Sequence, residues 1–85
     1  MKVVWSPLAL AKLEASAKFI ACDKPSAADK WVNDAYDRTD LLGSQPELGR
    51  EVPELLGSNY REVIFGSYRI IYKVEGGIKI LTLRN

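Results

Sequence analysis

YREVIFGSYRIIYKVEGGIKILTLR (residues 60–84) decides the fold. Three runs rich in β-branched and aromatic residues are divided by Gly66-Ser67 and by Gly76-Gly77. Runs of this composition form strands, and short glycine-containing links between them form tight hairpins. The stretch therefore predicts antiparallel strands over 60–66, 67–75 and 78–84. Successive strand residues face opposite sides of a sheet. Tyr68, Ile70, Tyr72 and Val74 thus share one face, and Arg69, Ile71, Lys73 and Glu75 the other. Two registers fit the second hairpin. A two-residue turn pairs Tyr72 with Leu81 and Ile71 with Thr82, whereas a three-residue loop pairs Tyr72 with Ile80 and Ile71 with Leu81.

Upstream, KVVW (2–5) reads as a short strand. Ser6 is a good helix cap and Pro7 a good first helical residue. The helix that follows carries Leu10, Leu13, Ala17 and Ile20 at helical spacing, with Lys12, Glu14 and Lys18 mainly opposite. Asp23-Lys24-Pro25 breaks it, because proline disfavours a helical residue before it. A second helix within 26–43 has Ala28, Trp31, Val32, Ala35 and Leu42 as its apolar stripe and Gly43 as its cap. The short link makes the two helices a hairpin. Residues 44–59 hold two prolines and two glycines and form the one long loop, whose length suits a positioning or binding role. The expected order is β-α-α-β-β-β: an α+β fold with a helical hairpin packed on a small antiparallel sheet, in one domain over 1–85.

Composition narrows the function. Twelve basic and eleven acidic residues leave a net charge of +1, against a general nucleic-acid-coating protein. Cys22 is the single cysteine and there is no histidine. An internal disulfide, a Cys/His metal site and a Cys–His or Ser–His catalytic pair are therefore excluded, and no cofactor is implied. No apolar run reaches the ~20 residues of a membrane span, and MKVVWSP lacks the apolar core of a signal peptide. The expected compartment is the cytoplasm.

Two helices can cover only one face of the sheet. Two readings of the other face stand side by side: the long loop half-buries Ile71 and its neighbours, or the face binds a partner. Trp5 and Trp31 read as core residues.

VVWSPLALAKLEASAKFIACDKPSAADKWV, then PELGREVPEL, then YREVIFGSYRIIYKVEGGIKILTLRN, resembles the ParE branch of the RelE/ParE toxin superfamily, the plasmid-stabilisation type of bacterial toxin–antitoxin module. The resemblance spans nearly the whole chain and keeps the order of elements. It implies a growth-inhibiting toxin neutralised by a cognate antitoxin, in a heterotetrameric or larger complex. The antitoxin's C-terminal segment would fold on the toxin's surface, and the toxin itself would bind no DNA directly. ParE-like members poison DNA gyrase; RelE-like members cut mRNA on the ribosome. Arg69 aligns with an arginine of the RelE-type site, but Tyr60 and Glu62 stand where RelE-like members carry lysines. The resemblance therefore implies a gyrase inhibitor without chemistry of its own. The alternatives are a ribosome-dependent endonuclease, using Arg61, Arg69 and Arg84 with Tyr68 or Tyr72, or an inactive homologue acting in antitoxin binding and operon regulation. Arginine stays protonated and serves binding better than acid–base work. Arg69 is also placed to pair with Glu62 across the hairpin. Arg61, Arg69, Ile71, Leu81 and Arg84 are the candidate residues for antitoxin or target contact, with edge pairing by the final strand adding main-chain bonds.

Overall fold

In the computed structural model, which describes residues 1–85, local chemistry sets the helical hairpin. Ser6 is extended and its Oγ accepts the Ala9 N–H at 3.0 Å, which caps helix α1 (Pro7–Asp23). Pro25 then holds Lys24 extended at φ −151°. Lys24 ends α1 and opens α2 (Pro25–Asp40) at once, so α2 turns back onto α1. The buried residues of α1 are Ala9 and Leu13, whereas Leu10, expected in the stripe, is 42% exposed. Ala28, Ala35 and Thr39 are buried on α2. Gly43 corrects the reading of a glycine cap. Helix α2 stops at Asp40, Leu41–Gly43 form a 3-10 turn, and Gly43 has no left-handed φ. Its missing side chain matters because a Cβ there would meet the Met1 carbonyl oxygen at 2.6 Å.

The sheet consists of β1 (Val3–Trp5), β2 (Arg50–Glu51), β3 (Tyr60–Phe65), β4 (Tyr68–Val74) and β5 (Ile78–Arg84), in the order β1-β5-β4-β3-β2. Four strands are antiparallel, and β1 adds to β5 in parallel. Strand β5 therefore lies inside the sheet, and the edge pairing expected of the final strand is occupied by β1 along Ile78–Ile80. Phe65 pairs with Tyr68 around Gly66-Ser67, and Gly66 at φ 59° supplies the positive torsion that the first position of such a turn requires.

The second hairpin satisfies both expected registers in succession. Val74 pairs with Ile78 across Glu75–Gly77, and Tyr72 pairs with Ile80, as a three-residue loop requires. Beyond an irregularity at Ile71/Tyr72, Ile71 pairs with Thr82 and Arg69 with Arg84, as the two-residue turn would have had it. Leu81 is the extra residue, a β-bulge. The core rows run Ile78, Ile80 and then Leu83, leaving Leu81 and Thr82 half-buried outside the core.

Tyr72 ties the long loop to the core. Its side chain is 0% exposed; its hydroxyl donates to the Pro46 carbonyl at 2.8 Å and accepts the Gly49 N–H at 2.9 Å. Gly49 needs its lack of a side chain, since a Cβ would lie 2.5 Å from the Glu62 carbonyl oxygen and 2.7 Å from the Tyr72 hydroxyl. Replacing Tyr72 by Phe strands a buried N–H. Tyr72→Phe is expected to lower stability by about 1–3 kcal/mol in denaturant unfolding, and to speed amide exchange at Gly49 before it affects the helices.

Candidate functional site

The face of the sheet turned away from the helices is covered in part by the loop. Glu62 lies on this face, opposite Ile71, yet is only 1% exposed. Arg50 Nε donates to Glu62 Oε1 at 2.8 Å, and Arg69 Nε donates to Glu62 Oε2. Glu54 Oε2 stands 3.7 Å from Arg69 Nη2. The Arg69 hydrogen bond, with Arg50 in support, holds the Glu62 carboxyl below its usual 4.5, against the opposing push of burial. The expected Arg69–Glu62 pair is thus present, and Arg50 completes it from β2.

Beyond this cluster the face is cationic and partly apolar. Arg84 is the cross-strand neighbour of Arg69, exposed, and makes no ion pair. Lys73 pairs with Lys79 across the hairpin. Lys73 Nζ reaches Glu75 at 3.0 Å and lies 5.4 Å from the centre of the Tyr60 ring, while Lys79 stays exposed. Ile64 is 49% exposed, and Ile71 and Leu81 are half-buried. The Thr82 hydroxyl is buried without a hydrogen-bond partner. The loop covers one part of this face, where Glu62 and Val52 are buried, and Arg84 at the other end is exposed.

Of the residues singled out in the sequence, Arg69, Ile71, Leu81 and Arg84 come together here. Arg61 does not: it pairs with Tyr72 on the helix-side face, and its Nη1 donates to the Gly49 carbonyl at 2.8 Å. Tyr68 also belongs to that face, its ring centre 5.2 Å from that of Trp31. Tyr72 is in the core with its hydroxyl engaged. The set Arg61, Arg69, Arg84, Tyr68 and Tyr72 is therefore split between opposite faces, because residues spaced by an odd number on a strand cannot share one. Ile64, Lys79 and Arg50 were missed. Alternation from Phe65 and from Ile80 signals the first two, but nothing local signals Arg50, whose place depends on the loop's pairing with β3.

Residues 3–84 match the family described as the ParE toxin of the type II toxin-antitoxin system, parDE. The chain belongs to the ParE toxin family. No curated protein matches it. Among solved structures it is similar to a chain of the chromosomal ParDE TA system from P. aeruginosa, with 25% identity, a TM-score of 0.78, all of this chain covered and 95% of that one. It is a ParE-type toxin of a type II toxin–antitoxin system. No helix in this ParE-family fold is long and apolar enough to cross a membrane.

Glu62 is ionised with both oxygens occupied, so it is a poor proton acceptor at neutral pH. The guanidinium groups offer charge and planar forks that suit carboxylates. Because folding lowers the Glu62 pKa, the unfolded chain takes up a proton first as pH falls below 4.5. The stabilisation from Glu62 is complete above that value and fades as pH drops through the folded-state pKa. Glu62→Gln is expected to cost about 2–4 kcal/mol above about pH 5. Its stability should also depend less on pH below 4.5 than that of the parent; parallel acid-unfolding curves would mean that Glu62 gains nothing from its arginines.

Proposed function

We propose that a cognate antitoxin silences this toxin by laying an acidic, partly apolar segment across the open face of the sheet. Once free, the toxin inhibits DNA gyrase in the cytoplasm by contact, trapping its cleaved-DNA state. The observation carrying the first part is the Arg69–Arg84 cross-strand pair. Like charges directly opposite are unfavourable, and of the two only Arg69 is paired, with Glu62, so Arg84 has a free fork on the face that also carries apolar Ile64, Ile71 and Leu81. A disordered acidic segment that folds on binding fits such a strip, covering a large surface with a short chain. Truncating a desolvated charge pair costs about 2–5 kcal/mol, and the aliphatic groups contribute about 25 cal/mol for each Å² buried. Support for the gyrase reading is membership of the ParE family together with a face whose cations bind but have no partnered base.

Arg84→Ala and Ile64→Ala shorten exposed side chains and add no charge beside the Glu62 cluster. Each is expected to weaken antitoxin binding at least tenfold, about 1.4 kcal/mol, in a calorimetric titration. Affinities within about twofold of the parent would place the antitoxin elsewhere, on the helical hairpin. Added to gyrase and supercoiled plasmid, the free toxin should accumulate cleaved DNA. Intact plasmid, with new cuts inside codons of translated mRNA by primer extension, identifies a ribosome-dependent nuclease in its place. Neither effect, with no growth arrest on expression alone, identifies a homologue confined to antitoxin binding.

A further inference from the structure

The largest cleft, about 740 Å³, lies away from the open face and is lined by Met1, Ser44–Leu48 of the long loop, Ser58, Asn59, Val74 and Arg61. Arg61 is half-buried there. Its one hydrogen bond is to the Gly49 carbonyl oxygen, and it makes no ion pair. This sets it apart from the other arginines: Arg38, Arg50 and Arg84 are exposed, and half-buried Arg69 is held by Glu62. A half-buried guanidinium with no ion-pair partner leaves the cleft with an uncompensated positive charge.

The other polar side chains of the cleft are mostly committed. Ser58 Oγ donates to the Leu55 carbonyl at 2.6 Å, Ser44 Oγ to the Leu41 carbonyl at 3.2 Å, and Asn59 Nδ2 to the Val74 carbonyl at 3.2 Å. Glu47 is the one carboxylate in the lining, and it makes no ion pair with Arg61. Leu48 and Val74 add apolar wall.

We propose that this cleft is a second binding site, separate from the open face, that takes an aspartate or glutamate side chain of an acidic peptide. The Arg61 fork grips the carboxylate, and Leu48 and Val74 receive the flanking apolar atoms. A nucleic-acid backbone fits less well, because successive phosphates call for a row of cations, and the cleft has Arg61 opposed by Glu47, with the Met1 ammonium already donating to the Gly43 carbonyl. Glu47 tunes the site: its charge repels the incoming carboxylate and lowers affinity.

The test is a titration of the full-length ¹⁵N-labelled chain with the capped tripeptide acetyl-Ala-Asp-Ala-amide, against acetyl-Ala-Ala-Ala-amide at matched ionic strength. Saturable shifts are expected at the Arg61 side chain and at the amides of Leu48, Ser58 and Asn59, with none for the alanine peptide. Arg61→Gln, checked for folding by circular dichroism, should weaken binding at least tenfold. Glu47→Gln, which leaves Arg61 in place, should tighten it at least twofold. Arg84→Ala, on the opposite face, should leave it unchanged, so this site and the antitoxin face succeed or fail separately. The proposal is overturned if the shifts map to Arg69 and Arg84, if Arg61→Gln binds as the parent does, or if Glu47→Gln gains nothing. It is also overturned if a short oligothymidylate occupies the cleft more tightly than the aspartyl peptide.

Discussion

The Glu62 carboxylate, closed off from water on the face without helices, is the constraint that organises the rest. An ionised group so buried is tolerated only when its oxygens are satisfied by opposite charge. Arg69 comes from the neighbouring strand, but Arg50 has to be brought by the long loop, which therefore runs along β3 as the short strand β2. The same loop is tied on the opposite face by Tyr72, through Pro46 and Gly49. Gly49 is squeezed between the Glu62 carbonyl oxygen and the Tyr72 hydroxyl, where no side chain fits. A segment that looks structureless by composition is thus fixed from both sides of the sheet by residues on adjacent strands. The ion-pair cluster contributes to where the loop lies more than to net stability, since a buried charge pair gains little over an apolar replacement.

The bulge at Leu81 has a comparable role for the open face of the sheet. Strand β1 accompanies β5 as far as Ile80, where the Ser6 N–H bonds to the Ile80 carbonyl at 2.9 Å. There the chain turns into α1, and the Ser6 hydroxyl donates to the Leu81 carbonyl at 2.9 Å while accepting the Ala9 N–H. One serine caps the helix and satisfies the carbonyl that the departing strand no longer pairs. The extra residue keeps Leu83 in the core after Ile80, and with it places Arg84 opposite Arg69. Without it, side-chain parity after Ile80 would flip, sending Leu83 outward and Arg84 inward.

What the sequence makes legible is what local chemistry determines. Ser6-Pro7 and Pro25 mark the helix boundaries, and Gly66-Ser67 sets the first hairpin, because each acts through torsions and caps within a few residues. The register of the second hairpin is not legible, since a bulge arises from packing and from the Ser6 contact, some seventy-five positions away. The parallel pairing of β1, which moves β5 off the edge of the sheet, and the loop strand that delivers Arg50 are non-local for the same reason. The misplaced Arg61 is a different case. A two-residue turn at Gly66-Ser67 already pairs it with Tyr72, so its membership of the helix-side face follows from the same reasoning that placed the strands.

Charge is where bulk composition conceals most. The chain is nearly neutral at +1, yet residues 60–84 carry five basic residues against two acidic ones, and one of the two is the buried Glu62. The acidic excess lies elsewhere, much of it on α2 with Asp29, Asp34, Asp37 and Asp40. Exposed charges more than about 8–10 Å apart are screened at physiological salt, so an approaching chain responds to the local surface. The strip where Arg84 and Lys79 are unpaired and turned away from the helices is locally positive. Near-neutrality and a selective cationic face are compatible because the two helices segregate charge by face. The fold that leaves one side of the sheet bare also makes that side the attractive one.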